Sequence, residues 1–309
     1  MNLENKKATR QSFGEALAIL GEKNKNVVVL DADLSEATKT SIFAKKFPDR
    51  FFDMGISEQD MLATAAGMAT CGKTPFVSSF AVFATGRAYD QIRSSICYPK
   101  LNVKICGTHG GITVGEDGAT HQMLEDINLM RGMPNMTVIC PSDDIQTKWA
   151  MEEISKMKGP AYVRMARLAT PVIYEEGESF ELGKGVQIGK GTDATVFATG
   201  AVVSEAIQAK EILEKEGINI RVVDIHTIKP IDKKLIIKCA KETKKLITVE
   251  DHNIIGGLGT AVCEVLSEEY PTKVIRLGIK DKFGKSGKAK ELMKEYGLTK
   301  EAIIEEVKK

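Results

Sequence analysis

The sequence has almost no excess charge, and it has no apolar run long enough to cross a membrane. Its 43 basic and 42 acidic side chains leave a net charge of +1, which gives no electrostatic footprint for nucleic acid or an anionic membrane. Residues 1–10 are polar and mixed in charge, unlike a secretory signal. The six cysteines have no metal-ligand spacing. We therefore expect reduced thiols in a cytoplasmic protein with no nucleic-acid or membrane partner.

Phosphate-binding signatures are also missing. No Gly-x-Gly-x-x-Gly follows an apolar run, and there is no Walker loop. The sequence also has no Gly-Asp-Gly followed downstream by paired asparagines. Residues 251–259 are glycine-rich but lack dinucleotide spacing. These absences exclude the familiar self-contained nucleotide sites.

What the sequence does contain is an alternation of short apolar runs and amphipathic stretches. This alternation predicts an α/β fold in which a mostly parallel sheet is covered by helices on both faces. Ligands of such doubly wound sheets bind at the carboxyl ends of the strands. A glycine- and glutamate-rich stretch, residues 171–190, predicts a linker between two domains of this type, residues 1–170 and 191–309.

The individual elements follow from the same periodicities. The predicted strands are residues 26–31, 73–77, 103–106, 137–140, 195–198, 221–225, 246–249 and 273–277. The predicted helices are residues 12–21, 59–69, 87–95, 143–157, 200–215, 232–244 and 257–269.

Two candidate motifs lie at predicted strand ends in the first domain. Glu58 stands where an apolar run meets an alanine-rich helix, a place where the helix dipole alone favours a carboxylate. Phe80 and Phe83 follow a strand and are three residues apart, a pattern that is also typical of ordinary core packing. Taken singly, neither motif establishes a function.

A glycine-rich loop, residues 107–122, holds two of the four histidines, His109 and His121, together with Asp117. Long polar loops at the carboxyl edge of a sheet usually carry function. No further close ligand completes a metal set, so recognition of sugar hydroxyls suits these side chains better. Arg164 and Arg167 end the next strand-like run, where arginine suits bidentate binding of phosphate.

In this order and spacing, the motifs resemble the pyrimidine-binding and C-terminal domains of transketolase over about residues 8–305. The most specific motif is Gly-Glu-Asp-Gly-Ala-Thr-His-Gln at residues 115–122. Residues 46–53 and 87–91 are similar to the related 1-deoxyxylulose-5-phosphate synthase.

The resemblance implies a thiamine-diphosphate site. Glu58 would hydrogen-bond a ring nitrogen of the aminopyrimidine and favour the imino form that takes the thiazolium proton. Phe80 and Phe83 would wall the aminopyrimidine, and Asp33 would lie at the cofactor and subunit boundary. Arg87 follows the family's position for a further aromatic residue, as in the synthase branch.

The resemblance also implies substrate residues. Arg10, His109 and Arg167 would bind sugar phosphate, Asp117 would recognise a hydroxyl, and His121 would lie near the reacting carbon. The family's phosphate-binding serine falls at residue 37, which is alanine in this sequence.

Full-length transketolase has another half, which binds the cofactor diphosphate through Mg²⁺ or a similar divalent metal. The resemblance therefore implies an N-terminal partner subunit that carries this metal, while no metal is expected on this chain. We expect a heterotetramer with that partner and a dimer of the chain alone.

The favoured function is that of a transketolase subunit in the pentose phosphate pathway, which moves a two-carbon ketol unit between sugar phosphates. The alternatives are the beta subunit of a 2-oxoacid dehydrogenase, half of a deoxyxylulose-phosphate synthase-like enzyme, and a non-catalytic paralogue. Asp117 within its motif disfavours the dehydrogenase, because a 2-oxoacid has no polyol to recognise. A non-catalytic protein is disfavoured by the retention of all five of Glu58, Phe80, His109, Asp117 and His121.

Overall fold

The computed structural model describes residues 4–309, so the first three residues of the predicted first domain lie outside the described part. The strands are β1 (Lys6–Ala8), β2 (Val27–Asp31), β3 (Phe51–Asp53), β4 (Thr74–Phe80), β5 (Lys104–Thr108), β6 (Thr137–Ile139), β7 (Ala161–Arg164), β8 (Ala169–Pro171), β9 (Val186–Ile188), β10 (Ala194–Ala198), β11 (Ile220–Asp224), β12 (Thr227–Lys229), β13 (Leu246–Asn253) and β14 (Val274–Ile279).

The α-helices are α1 (Thr9–Lys23), α2 (Ser35–Thr38), α3 (Ser41–Lys46), α4 (Glu58–Thr70), α5 (Asp126–Arg131), α6 (Asp144–Lys156), α7 (Val203–Lys215), α8 (Lys233–Glu242), α9 (Leu258–Glu269), α10 (Ala289–Glu295) and α11 (Lys300–Lys308). Short 3₁₀ turns cover Pro48–Arg50, Ile112–Val114 and Gly200–Val202, and π-helical turns cover Val82–Arg87 and Gln91–Cys97. None of the helices in residues 4–309 has the length and apolar character that a membrane span requires.

Two mostly parallel sheets confirm the α/β class. The first has the strand order β12-β6-β7-β5-β4-β2-β3, and the second has the order β14-β13-β10-β11-β9. Strands such as β2 are buried along their whole length, because helices cover both faces of the sheet. This is why their sequences are continuous apolar runs rather than alternating patterns.

Each sheet has a point where the strand order reverses. In the first sheet, β3 lies on one side of β2 and β4 lies on the other. In the second sheet, β11 and β13 flank β10 in the same way. Loops diverge above such a strand, and the crevice between them is where doubly wound sheets bind ligands.

The strand β12 belongs by sequence to the second half of the chain but pairs with β6 of the first sheet. The pairing is antiparallel, with Thr227 opposite Ile139 and Lys229 opposite Val138. The backbone N–H of Cys140 extends it by donating to the carbonyl oxygen of His226 at 2.8 Å. The two halves therefore share a sheet as well as a core, which is continuous across their boundary.

One predicted helix differs from the structure. Residues 87–95 were expected to form an ordinary amphipathic helix, but the helical stretch begins earlier and consists largely of the turns Val82–Arg87 and Gln91–Cys97. In a π-helical turn the hydrogen bond spans five residues, so the turn is wider than in an α-helix. Phe83 and Arg87, both in the first of these turns, line the same cavity.

Candidate active site

A cavity of about 230 Å³ opens where β2 and β4 diverge, at the reversal point of the first sheet. Its lining consists of Ala32, Asp33, Leu34, Ile56, Glu58, Phe83, Arg87 and His121. Five of these residues were predicted as site residues from the sequence. The sheet topology brings them together although they are spread over 89 positions of the chain, from residue 33 to residue 121.

Glu58 lies at the first position of α4, and its side chain is 1% exposed. Its Oε2 accepts a hydrogen bond from Arg87 Nη1 at 2.7 Å. A buried carboxylate is costly without such a partner, so Arg87 offsets the cost of placing Glu58 in an apolar cavity. The Arg87 guanidinium also lies over the Phe83 ring, 4.7 Å from its centroid, and remains 44% exposed.

Aromatic rings form one wall of the site. Phe80 and Phe83 are nearly parallel, with centroids 6.1 Å apart and an angle of 12°. His109 stacks on Phe80 at 3.8 Å, and His121 meets Phe83 edge-on at 5.4 Å. Phe83 thus lines the cavity, and Phe80 packs behind it against the histidines of the glycine-rich loop.

The turn after β2 positions Asp33. Asp31, at the end of the strand, is buried and accepts hydrogen bonds from Thr38 Oγ1 at 2.7 Å and Thr40 Oγ1 at 2.8 Å. Burial raises the pKa of Asp31 to about 6. Asp33 itself has φ of +61°, and its backbone N–H donates to Asp53 Oδ1 at 3.1 Å.

A basic cluster formed by Arg10, His109 and Arg167 lies beside the aromatic wall. Arg10 Nη1 donates to the carbonyl oxygen of Ala37 at 2.8 Å and lies 3.3 Å from His109 Nε2. Within residues 4–309, the buried Nε of Arg10 has no hydrogen-bond partner. Burial and the nearby charge of Arg167 both lower the pKa of Arg10.

His109 is neutral in this environment. Burial, together with the nearby charges of Arg10 and Arg167, lowers its pKa to about 3. Because Nε2 faces the Arg10 donor, the proton belongs on Nδ1, which lies 2.8 Å from Thr108 Oγ1 and can donate to it. A neutral imidazole between two guanidinium groups leaves the cluster with a net positive charge.

The two arginines at the end of β7 have different environments. Arg164 is 6% exposed, and its Nε donates to Asp126 Oδ2 at 2.7 Å, so it is part of the core. The Arg167 side chain is 39% exposed and lies 3.5 Å from Glu116, and its Nη1 donates to the carbonyl oxygen of Val114. Of the pair, the structure leaves Arg167 available to a ligand.

The glycine-rich loop places Asp117 at an exposed tip and His121 at the cavity. The sequence did not indicate which hydrogen bonds hold this loop in place. Gln122 is 4% exposed and donates through Nε2 to the carbonyl oxygen of Lys285 at 2.9 Å. From the other domain, Asp251 accepts a hydrogen bond from the backbone N–H of Ile112 at 2.9 Å. Gln122 was visible as the last residue of the specific motif, but nothing local marks Asp251.

The geometry fits the aminopyrimidine of thiamine diphosphate. An apolar cavity with a buried carboxylate at its base and an aromatic wall can hold a flat heteroaromatic ring and bond its ring nitrogen. The part of the chain that the structure describes, residues 4–309, has no cluster of three or more His, Cys, Asp or Glu residues able to hold a metal ion.

The fold and cavity define a two-domain α/β protein with a cofactor-type site at a sheet reversal. Two family models match it: "Transketolase, pyrimidine binding domain" over residues 5–172 and "Transketolase, C-terminal domain" over residues 183–303. The chain belongs to the transketolase family, as its motifs predicted.

Individual relatives agree with this assignment. A Methanocaldococcus jannaschii protein, described provisionally as a transketolase C-terminal section, is 54% identical over 98% of this chain and 97% of its own length. Transketolase of Rattus norvegicus is 42% identical over 97% of this chain, which spans 48% of the length of that enzyme. A solved structure described as a split gene transketolase, inactive beta4 tetramer, is 49% identical with a TM-score of 0.91, and the match covers 97% of each chain.

Proposed function

We propose that this chain is the C-terminal subunit of a split, thiamine-diphosphate-dependent transketolase that transfers a two-carbon ketol unit from a ketose phosphate to an aldose phosphate. The observation that carries the proposal is the buried Glu58 carboxylate at the base of a cavity walled by Phe83, with a basic cluster beside it. A thiamine site and a phosphate site would then lie next to each other.

Bound thiamine diphosphate would supply the carbon nucleophile for cleavage of the ketose. Glu58 would share a proton between its carboxylate and a ring nitrogen of the aminopyrimidine, which favours the imino form of that ring. Because Arg87 Nη1 donates to Oε2, the other oxygen, Oε1, would serve the ring nitrogen unless the ring displaces Arg87. Phe80 and Phe83 would exclude water from the ring and strengthen the Glu58 hydrogen bond.

The basic cluster would bind the sugar phosphate. Arg10, His109 and Arg167 carry a net positive charge, and the Arg10 Nε has no partner among the described residues. Charge-assisted hydrogen bonds from such groups to phosphate are among the stronger polar contacts. Asp117 would accept a hydrogen bond from a sugar hydroxyl, and His121 would lie near the reacting carbon.

The remaining half of the site would come from an N-terminal partner subunit that holds the diphosphate and a divalent metal. The chain spans about half of full-length transketolase, and Ile56, on the cavity rim, is 73% exposed. We propose a heterotetramer with this partner and self-association, at least to a dimer, of the chain alone. A cytoplasmic enzyme of the pentose phosphate pathway is the setting we propose.

The proposal is tested by co-purifying the chain with its native partner subunit and measuring two reactions side by side. We expect transfer between sugar phosphates that requires thiamine diphosphate and Mg²⁺, and no 2-oxoacid decarboxylation at a comparable rate. Isothermal calorimetry should show that the chain alone binds the cofactor weakly, because metal and phosphate contacts are missing. Micromolar binding to the chain alone would contradict the split site.

A further inference from the structure

The second domain contacts the glycine-rich loop from behind the site. Asp251, in β13, is 4% exposed, and its Oδ1 accepts the backbone N–H of Ile112 at 2.9 Å. The backbone N–H of Thr113 also stabilises this carboxylate and opposes the rise in its pKa that burial causes. Gly111 has φ of +86°, and a Cβ at this position would collide with the Asp251 carboxylate. The loop therefore turns directly against a charged group of the other domain.

The neighbouring anchors of the loop are backbone bonds within the first domain. The N–H of Gly110 donates to the carbonyl oxygen of Met165 at 3.1 Å, and the N–H of Gly111 donates to that of Met123 at 2.8 Å. These two bonds fix the start of the loop. The N–H of the next residue, Ile112, donates to the Asp251 carboxylate of the other domain instead. A carboxylate that accepts two successive N–H groups forms stronger bonds than a neutral acceptor would.

The loop carries three of the proposed substrate residues, His109, Asp117 and His121. It also receives a fourth, because Arg167 donates to the carbonyl oxygen of Val114. Glu58, by contrast, belongs to α4 and does not depend on the loop for its position. A shift of residues 112–114 would therefore move the sugar-binding groups, His121 among them, and leave Glu58, Phe83 and Arg87 of the cavity in place.

We propose that Asp251 is a positioning residue of the second domain that holds the glycine-rich loop in the conformation that binds the sugar phosphate. The inference rests on the proposed function of the site. It gives the second domain a role in substrate binding although Asp251 is not one of the residues that line the cavity.

Hydrogen–deuterium exchange on the full chain tests the anchor without any assay of activity. We expect Asp251→Ala to speed exchange at Ile112 and Thr113 by about 10- to 100-fold, the range that the loss of a hydrogen bond to a charged group allows. Asp251→Asn keeps an acceptor but loses the charge, so it should speed exchange by about threefold or more and less than alanine does. Exchange equal to that of the wild type in both variants would overturn the proposal.

Asp224→Ala is the matched control, because Asp224 is also a buried carboxylate between the domains but bonds Ser142, Gln146 and Tyr174 instead of the loop. In the Asp224→Ala variant, the rate of hydrogen–deuterium exchange at Ile112 should stay at the wild-type value. Equal acceleration in both alanine variants would show general loosening and overturn the proposal. If Asp251→Ala does not fold, the pair Asp251→Asn and Asp224→Asn makes the same comparison.

Steady-state kinetics on the complex with the partner subunit provide the second readout. We expect the KM for the sugar phosphate to rise by about tenfold in Asp251→Ala, while the Kd for thiamine diphosphate stays near the wild-type value. A change in cofactor affinity as large as that in KM would overturn the positioning role. A wild-type complex without ketol transfer would overturn the proposed function instead, and the exchange result would still stand or fall alone.

Discussion

The two sheets reverse their strand order in the same way but use the resulting crevice differently. Above β2 the crevice is an open cavity that contains Glu58. Above β10 it is closed by the first domain, because Thr199 Oγ1 donates to the carbonyl oxygen of Cys140 at 3.3 Å and Gly200 lies against the Cys140 sulfur. The same strand order thus leaves an open cavity in the first domain and forms a domain interface in the second.

Two carboxylates show what distinguishes these crevices. Asp224 ends β11, and its Oδ2 accepts hydrogen bonds from Ser142, Gln146 and Tyr174 at 2.8–2.9 Å. Glu58 is equally buried, but among residues 4–309 its carboxylate has one hydrogen-bond partner, Arg87, whose side chain is 44% exposed. The three donors to Asp224 are buried, so a ligand from solvent cannot replace them, although the other oxygen, Oδ1, has no partner among residues 4–309. The guanidinium that holds Glu58 is half-exposed, so a ligand that enters the cavity can displace it.

Among the substitutions that test this difference between the two carboxylates, Glu58→Gln should have the largest effect, a loss of turnover. The amide can still accept from Arg87 but cannot share an acidic proton with a ring nitrogen, so turnover of the complex should fall by about 10²–10⁴-fold. The denaturant midpoint, followed through the fluorescence of Trp149, should change little. Turnover within a few-fold of the wild type would show that Glu58 belongs with Asp224 as a structural carboxylate.

Asp224→Ala should show the opposite pattern. Three buried donors would lose their acceptor, which should lower the free energy of unfolding by about 2–4 kcal/mol. Urea denaturation of the chain measures this loss, and turnover per folded complex should remain near the wild-type value. A variant that keeps its stability and loses turnover would break the comparison, because the second crevice would then take part in catalysis.

Arg167→Ala should raise the KM for phosphorylated sugars by an amount equivalent to about 1.5–3 kcal/mol, with a smaller change for unphosphorylated analogues. Arg164→Ala is the matched control three residues earlier. Its ion pair with Asp126 is buried, so it should lower stability without this preference for phosphate. Equal changes in KM for phosphorylated and unphosphorylated sugars in Arg167→Ala would show that Arg167 has a structural role.

A smaller effect should appear in the pH dependence of stability. Burial raises the pKa of Glu250, which accepts hydrogen bonds from Leu258 and Gly259, to about 7. The folded protein therefore binds this proton more tightly than the unfolded chain, and the Glu250 contribution to stability falls as pH rises from about 4.5 to 7. Glu250→Gln replaces the titrating carboxyl group with an amide, so this part of the pH dependence of stability should disappear.

We expect the stability of Glu250→Gln, relative to the wild type, to improve by about 1–2 kcal/mol between pH 5 and pH 7. Urea denaturation at the two pH values measures the change. The same difference at both pH values would mean that Glu250 does not titrate between pH 5 and pH 7.

Local patterns in the sequence predicted the buried strands well. The run at residues 26–31 became Val27–Asp31, and residues 246–249 became the longer Leu246–Asn253. A continuous apolar run indicates a strand that is covered on both faces of its sheet, and these two strands are buried in this way. Periodicity did not predict α10 and α11, where short helices with many lysines cover the surface of the second domain and have narrow apolar faces.

Long-range geometry was the part that the sequence could not provide. The pair of Glu58 and Arg87 joins residues 29 positions apart, and it depends on the order of β2, β3 and β4 and on a wide helical turn. The contact between Asp251 and Ile112 spans 139 positions. The family resemblance assigned residues to a common site, but it gave no information on which side chains hold each other in place.

The strand β12 lies in the second half of the sequence but completes the first sheet, and this has a consequence for biosynthesis. A nascent chain that ends near residue 170 would have to fold with the edge of β6 uncovered, because the strand that pairs with this edge is made some sixty residues later. Unpaired edges recruit other chains. During translation the first sheet is therefore exposed to aggregation until Lys229 has left the ribosome, and slow synthesis between these points would favour capture by chaperones.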